Sequence, residues 1–317
     1  MSGGTDDNAV IVETSALTQR FGSTVALDTL DVRMRPGVTG LVGANGAGKT
    51  TLLNALLGLR IPTSGSATVL GLDPRSQGAA LRAKVGFAPE RDVLPDEMRA
   101  VDFVRHLSQV RGLPRSEART RASDSLWLVG LGEERTRTLG TMSTGQRQRV
   151  KLAQAMASDP QLVLLDEPTS GLDPTQRSDM LTLIGEISNE HSVSVVLSSH
   201  LLEEVERVCD HIVALDAGRL VAEGPIAELI GDGDGEGVTL ELVDIAVPSG
   251  SVDAVVSMLL GAGIEVERSG TTLRLGGVDR DELCDRARDA VAEAGARIRR
   301  LETRRRTLAD LFEASAI

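Results

Sequence analysis

The stretch that most narrows the choice of fold is GANGAGKT, Gly43 to Thr50. It follows the apolar run TGLVG and precedes the helical pattern TTLLNALLGL, so a buried strand feeds a glycine loop that opens a helix. The spacing fits G-x-x-x-x-G-K-[ST] at Gly43, Gly48, Lys49 and Thr50. Across Gly43, Asn45, Gly46 and Gly48 successive backbone N–H groups can curl around an anion, and the helix N-terminus adds its dipole. Lys49 is placed to reach β- and γ-phosphates, and the Thr50 hydroxyl to hold Mg²⁺. A strand, loop and helix in this order predict a nucleotide site rather than a turn that happens to be rich in glycine.

Two further strand ends carry matching chemistry. QLVLLDEP is an apolar strand closed by acids and a proline. Asp166 at its end is positioned to orient water on a metal, and Glu167 to accept a proton from attacking water. VSVVLSSH ends in His200, expected at the same edge of the sheet and therefore near a γ-phosphate. His106, His191 and His211 have no such context and read as structural. Parallel strands joined by helices make an α/β sheet, which places ligands beyond the carboxyl ends of its strands.

Residues 1–230 read as one such domain, with a helical insertion at about 91–145 whose helices fall near Ala100–Arg111 and Ser116–Val129. HIVALDAGRLVAEG reads as two strands turning at Asp216 to Gly218. GDGDGEG, Gly231 to Gly237, is glycine and acid only and reads as a linker. Beyond it, 238–317 follow a strand-helix-strand-strand-helix-strand order with a last helix, which predicts a small α+β domain of ferredoxin-like topology.

Composition removes several functions. A net charge of −12 and 2% aromatics without tyrosine argue against nucleic acid as a partner. The basic run from Arg297 to Thr307 reads as a solvated helix or strand edge, with an anion or membrane-surface contact as the alternative. Two cysteines, Cys209 and Cys284, are too few for a disulfide framework, and both sit beside apolar helical positions, which predicts burial. No apolar run is long enough to span a bilayer. The acidic start, MSGGTDDNAV, does not read as a secretory leader.

MSTGQRQR, Met142 to Arg149, contains nothing that can do acid–base chemistry. Ser143 and Gln146 form an S-x-x-Q capping box. Gly145 weakens the helix it would start, which suits a close approach to exposed N–H groups. A second anion loop in one chain suggests that two copies share their nucleotides.

Taken together, GANGAGKTT, LVLLDEP, STGQ, TSGLD and SSH resemble, in order, Walker A, Walker B, the signature, the D-loop and the histidine switch of ABC transporter ATP-binding subunits. The resemblance covers roughly the first 230 residues and implies a P-loop NTPase fold. It also implies a head-to-tail dimer, with two ATP molecules held between Walker A of one copy and the signature of the other. It assigns Phe21 to stacking on adenine, Thr51 to the α-phosphate, Glu167 to the general base and Asp173 to the dimer interface. Ser143, Gly145 and Gln146 would bind the partner's γ-phosphate.

The chain departs from the family pattern twice. Thr144 replaces the first of two adjacent glycines, and it either crowds the phosphate or adds a donor. Glu90, in VGFAPE, replaces the usual glutamine and would still ligate Mg²⁺. Glu90 and the tail RTLADLFEA resemble the drug- and antibiotic-exporter branch. The expectation is therefore a cytoplasmic ATPase, peripheral on the inner face of the membrane. It would drive efflux of a drug, antibiotic or lipid-like substrate through a separate transmembrane permease. An importer ATPase and a soluble ABC ATPase acting on the ribosome or DNA are the alternatives. The accessory domain would serve dimer contacts or regulation, or stand as a passive appendage.

Overall fold

The most apolar runs of the sequence become the middle of a six-stranded sheet. The computed structural model describes residues 10–91, 94–230, 237–242, 251–277, 280–304 and 308. The chain forms two units, Met1–Ile226 and Ala227–Ile317. The first begins with β1 (Val12–Phe21), β2 (Thr24–Met34), β3 (Val38–Val42), α1 (Lys49–Leu56) and β4 (Ser64–Val69). It continues with α2 (Gly78–Lys84), β5 (Val85–Ala88), α3 (Ala100–Val110), α4 (Arg115–Leu128) and α5 (Thr144–Met156). It closes with β6 (Leu162–Asp166), α6 (Pro174–His191), β7 (Ser194–Ser199), α7 (Leu202–Val208), β8 (His211–Asp216) and β9 (Arg219–Pro225). A short α8 (Ile226–Ile230) follows.

The large sheet has the order β5-β6-β7-β3-β8-β9, parallel except for β9. Every residue of β3, β6 and β7 is buried, which suits runs as apolar as VTGLV and LVLLD covered on both faces. Register then fixes the site. Val42 lies opposite Ser199, and Asp166 opposite Ser198. The segments leaving β3, β6 and β7 therefore emerge together at one carboxyl edge. α3 and α4 stand where the sequence places its helical insertion.

The three-stranded antiparallel sheet β2-β1-β4 has no counterpart in the sequence reading. Its alternation is interrupted: Ala16 and Thr29 have φ of 45° and 50°, and the β1–β2 register shifts between Thr14 and Leu17. Each bulge flips the phase of inward and outward residues, which hides a period of two. Leu17, Leu27, Leu30 and Val32 nevertheless close a core with Leu52 and Leu56 of α1, all at most 1% exposed.

In the second unit β10 (Gly237–Leu242), α9 (Ser251–Gly261), β11 (Glu265–Ser269), β12 (Thr272–Gly276), α10 (Arg280–Glu293) and β13 (Ile298–Arg304) follow one another. The antiparallel order β11-β12-β10-β13 is the ferredoxin-like arrangement the element order predicts. Leu240, Val255, Leu259, Leu273, Leu283 and Ala287 form a core of its own. The basic run supplies β13, an edge strand, with Arg300 paired to Glu302 at 2.6 Å. The predicted linker, apart from Gly237 in β10, and the predicted last helix, apart from Leu308, lie outside the described residues. One expectation needs correction. Cys209 is buried, but Cys284 is only half-buried, because it packs at the margin of the second unit's core.

Candidate functional site

The loop between β3 and α1 is shaped by its glycines. Gly43, Gly46 and Gly48 have φ of 155°, 87° and 107°. A Cβ on Gly43 would stand 2.3 Å from the Leu215 carbonyl oxygen, and one on Gly48 2.6 Å from that of Ala26. At Gly46 a Cβ would meet nothing within 4 Å, so the loop is tight on the protein side and open at its crest. Gly48 is the N-cap of α1 and offers no side-chain hydrogen bond to the helix. The N–H groups of the first turn, which includes Thr50 and Thr51, are thus free of any side-chain cap, the condition for holding an anion at a helix start.

Behind the loop, Lys49 is almost fully buried. Its Nζ donates to the carbonyl oxygens of Gly43 at 2.7 Å and Ala44 at 3.4 Å and pairs with Glu167 Oε1 at 3.3 Å. The Lys49–Glu167 contact lacks hydrogen-bond alignment, and Glu167 Oε1 is a buried oxygen with no hydrogen-bond partner. Glu167 Oε2 lies 2.9 Å from His200 Nδ1. With the carboxylate ionised it only accepts, and the bond then takes its proton from Nδ1 and leaves Nε2 for another partner.

Ser198 orders the two acids. Its Oγ donates to Asp166 Oδ1 at 2.7 Å and accepts from the Glu167 N–H at 2.9 Å. Glu167 has a φ of 48°, a left-handed conformation uncommon outside glycine and the more so before a proline. Such a backbone costs about 1–3 kcal/mol and persists where neighbours over-determine it. From this turn the Glu167 side chain reaches both Lys49 and His200. Lysine, carboxylates and histidine converge, as the sequence predicts. Ser198 was missed there, although the paired serines of VVLSSH, polar in an apolar strand, were the visible signal.

Among the described residues no three His, Cys, Asp or Glu gather into a metal cage. Thr50 in the first turn of α1 and Asp166 at the end of β6 offer oxygen only. A hard cation held by one or two such groups together with phosphates is the usual manner of Mg²⁺, so the residues present fit that ion.

The second loop forms its own face. Ser143 caps α5: its Oγ accepts from the Gln146 N–H at 3.3 Å, and Gln146 Oε1 accepts from the Ser143 N–H at 3.1 Å. Asp173 caps α6 by accepting from the Gln176 N–H at 2.9 Å. These two starts touch. Gln148 Nε2 donates to the Ser170 carbonyl at 3.1 Å, and a Cβ on Gly171 would lie 3.4 Å from Thr144 Cγ2. A Cβ on Gly145 would lie 3.2 Å from Gln176 Oε1, so the missing side chain also admits a neighbour from its own chain. None of Phe21, Glu90, Ser143, Gly145, Gln146 and Asp173 hydrogen-bonds or ion-pairs with the Lys49–Glu167–His200 cluster. Phe21 is exposed at the end of β1, with the Arg60 guanidinium 5.0 Å from its ring centroid. Glu90 is exposed, and its carbonyl accepts from Lys151 Nζ at 2.9 Å.

A glycine cradle at a helix start, backed by a buried lysine and an acid–histidine pair, defines a nucleotide-hydrolysing P-loop site. Residues 27–170 match the ABC transporter family. The daunorubicin resistance ATP-binding protein DrrA3 of Streptomyces coeruleorubidus is 32% identical over 307 residues, 96% of this chain and 95% of that protein. The methionine import ATP-binding protein MetN of Mesorhizobium japonicum is 32% identical over 265 residues, 82% of this chain and 72% of that protein. An ATP-binding cassette solved as a dimer in a post-hydrolysis state with ADP and Pi is 25% identical, with a TM-score of 0.60 over 68% of this chain and 98% of that one. The chain belongs to the ABC transporter family as an ATP-binding subunit, and its activity is that of an ATPase.

Proposed function

We propose that this chain energises export of a drug, antibiotic or lipid-like substrate through a separate transmembrane permease, working as a dimer from the cytoplasmic face. The observation that carries this reading is the match to a daunorubicin resistance ATP-binding protein along 96% of the chain, residues of both units included. Among the described residues no helix is long and apolar enough to cross a membrane. A groove of about 280 Å³ next to Glu90, with an apolar wall of Phe87, Leu94, Phe103, Leu107 and Val110 and with Arg111, Lys151 and Gln154 also lining it, suits an amphipathic element of that partner. Residues 1–230 would be the ATPase domain, 231–237 the linker and 238–317 an accessory domain.

In this reading the uncapped N–H groups after Gly48, with Lys49, Thr50 and Thr51, hold the phosphates, and Phe21 stacks on adenine. Mg²⁺, held by Thr50 and Asp166 and, on the family pattern, by Glu90, would neutralise charge on the phosphates when bound. Glu167 Oε1, buried and without a hydrogen bond, accepts the proton of the attacking water. His200 is anchored through Nδ1 and turns Nε2 toward the γ-phosphate. Asp173, and Ser143, Gly145 and Gln146 at the opposite loop, close over the nucleotide of a second copy.

Glu167→Gln should keep ATP affinity while turnover falls about 10²–10⁴-fold, the worth of a general base. The same variant, in vesicles that also carry the co-purifying membrane protein, should stop ATP-dependent daunorubicin transport. Undiminished hydrolysis would remove Glu167 from this role. Methionine uptake in place of efflux would favour the importer reading.

A further inference from the structure

Below the catalytic edge lies a carboxylate that the chemistry above does not use. Glu204, in the first turn of α7, is 4% exposed. Its Oε2 accepts from Thr169 Oγ1 at 2.9 Å and from Ser199 Oγ at 2.6 Å. Its Oε1 lies 3.1 Å from Arg177 Nε, an ion pair without hydrogen-bond alignment. Thr169 and Ser199 are themselves buried. The Ser199 Oγ also accepts from the Leu201 N–H at 3.0 Å, and Arg177 Nη2 donates to the Leu172 carbonyl at 3.4 Å.

These bonds tie together two segments that leave different strands. One is 199–201, which brackets His200. The other is 169–173, which starts two residues past Glu167 and ends at Asp173. The second segment touches the start of α5 through Ser170 and Gly171. A buried charge is expensive, and an apolar replacement of the same volume is often no less stable. Its worth here is therefore in register rather than in stability. One carboxylate serving both segments means that neither can shift without straining the other.

We propose that Glu204 is a positioning residue that locks the His200 segment to the 169–173 loop, so that a change at the γ-phosphate is passed to the face presented to a second copy. The last step rests on the shared-site reading above. The lock itself is a property of one chain. Occupancy sensed by His200 moves Ser199, Ser199 pulls Glu204, and Thr169 and Arg177 carry the shift to Leu172 and Asp173.

The test compares full-length Glu204→Gln, Arg177→Ala and the double variant in steady-state ATPase assays, with affinity for a fluorescent ATP analogue measured alongside. Glu204→Gln keeps an oxygen that can accept from Thr169 and Ser199 but loses the charge facing Arg177. The expected result is a kcat at least tenfold lower with analogue affinity within about threefold, and a double variant no worse than the poorer single. A kcat within twofold of the parent, equal losses in kcat and affinity, or strictly multiplicative effects would overturn the proposal. Should Glu204→Gln fail to fold, Thr169→Val and Ser199→Ala each remove one donor and leave the acid. They should show the same split of kcat from affinity, and its absence overturns the lock. Failure of the Glu167→Gln chain to dimerise with ATP would sink the shared site and leave this kinetic test standing.

Discussion

At the scale of single residues, the site depends on small polar groups that sequence motifs do not mark. Ser198 Oγ orients Asp166 and holds the peptide of Glu167 in its left-handed turn. Ser198→Ala would leave a buried N–H unpaired and a buried carboxylate short of a donor, at about 1–3 kcal/mol for the lost partner. Denaturant unfolding should show that loss, and kcat should fall more than ATP affinity because the phosphate loop is untouched. An unchanged midpoint and unchanged kcat would show that Ser198 holds neither acid. By contrast, Lys49, Asp166, Glu167 and His200 were legible in the sequence. Each stands at a fixed offset from an apolar strand, and register alone brings those offsets together. Glu204 and Arg177 were not legible, since nothing in a helical pattern distinguishes an acid that faces inward from one that faces solvent.

At the scale of elements, the parallel strands were legible because they are short, apolar and bounded by glycine or acid. The N-terminal sheet was not, because bulges at Ala16 and Thr29 break its alternation. That sheet is joined to the large one partly through Glu223 on β9, whose Oε1 accepts from the Arg33 N–H of β2 at 2.8 Å. Burial raises the Glu223 carboxyl above its ordinary value, although the bond from Arg33 and its charge act the other way. The folded state therefore holds this proton more tightly than the unfolded chain does. That contribution is complete below the unfolded value and is lost as pH rises through the higher folded one. Glu223→Gln keeps an acceptor for Arg33 and removes the titration. Its thermal stability relative to the parent should thus improve as pH rises above the ordinary carboxylate value, and level off once the raised folded value is passed. A difference that stays flat, or reverses, would show that Glu223 is effectively solvated.

At the scale of the whole molecule, among the described residues the cluster packed around α1 and the cluster of the second unit have no residue in common. Calorimetry of the full chain should therefore resolve two transitions, with ATP raising only the one that belongs to the phosphate-loop unit. One cooperative transition shifted as a whole would contradict that independence. The ferredoxin-like order of the second unit was legible from its strand–helix sequence, whereas its role was not, because no motif of known chemistry lies in it. The larger inference concerns what one chain lacks: Ser143, Gly145 and Asp173 form a face with no bond to the lysine–glutamate–histidine cluster of the same molecule. Light scattering of the Glu167→Gln chain, with and without ATP, tests this most directly when repeated after Ser143→Arg. The expected result is a dimer only with ATP, and a monomer that still binds ATP once Ser143 is replaced. A chain that stays monomeric with ATP, or a Ser143→Arg variant that dimerises as readily as its parent, would contradict the account.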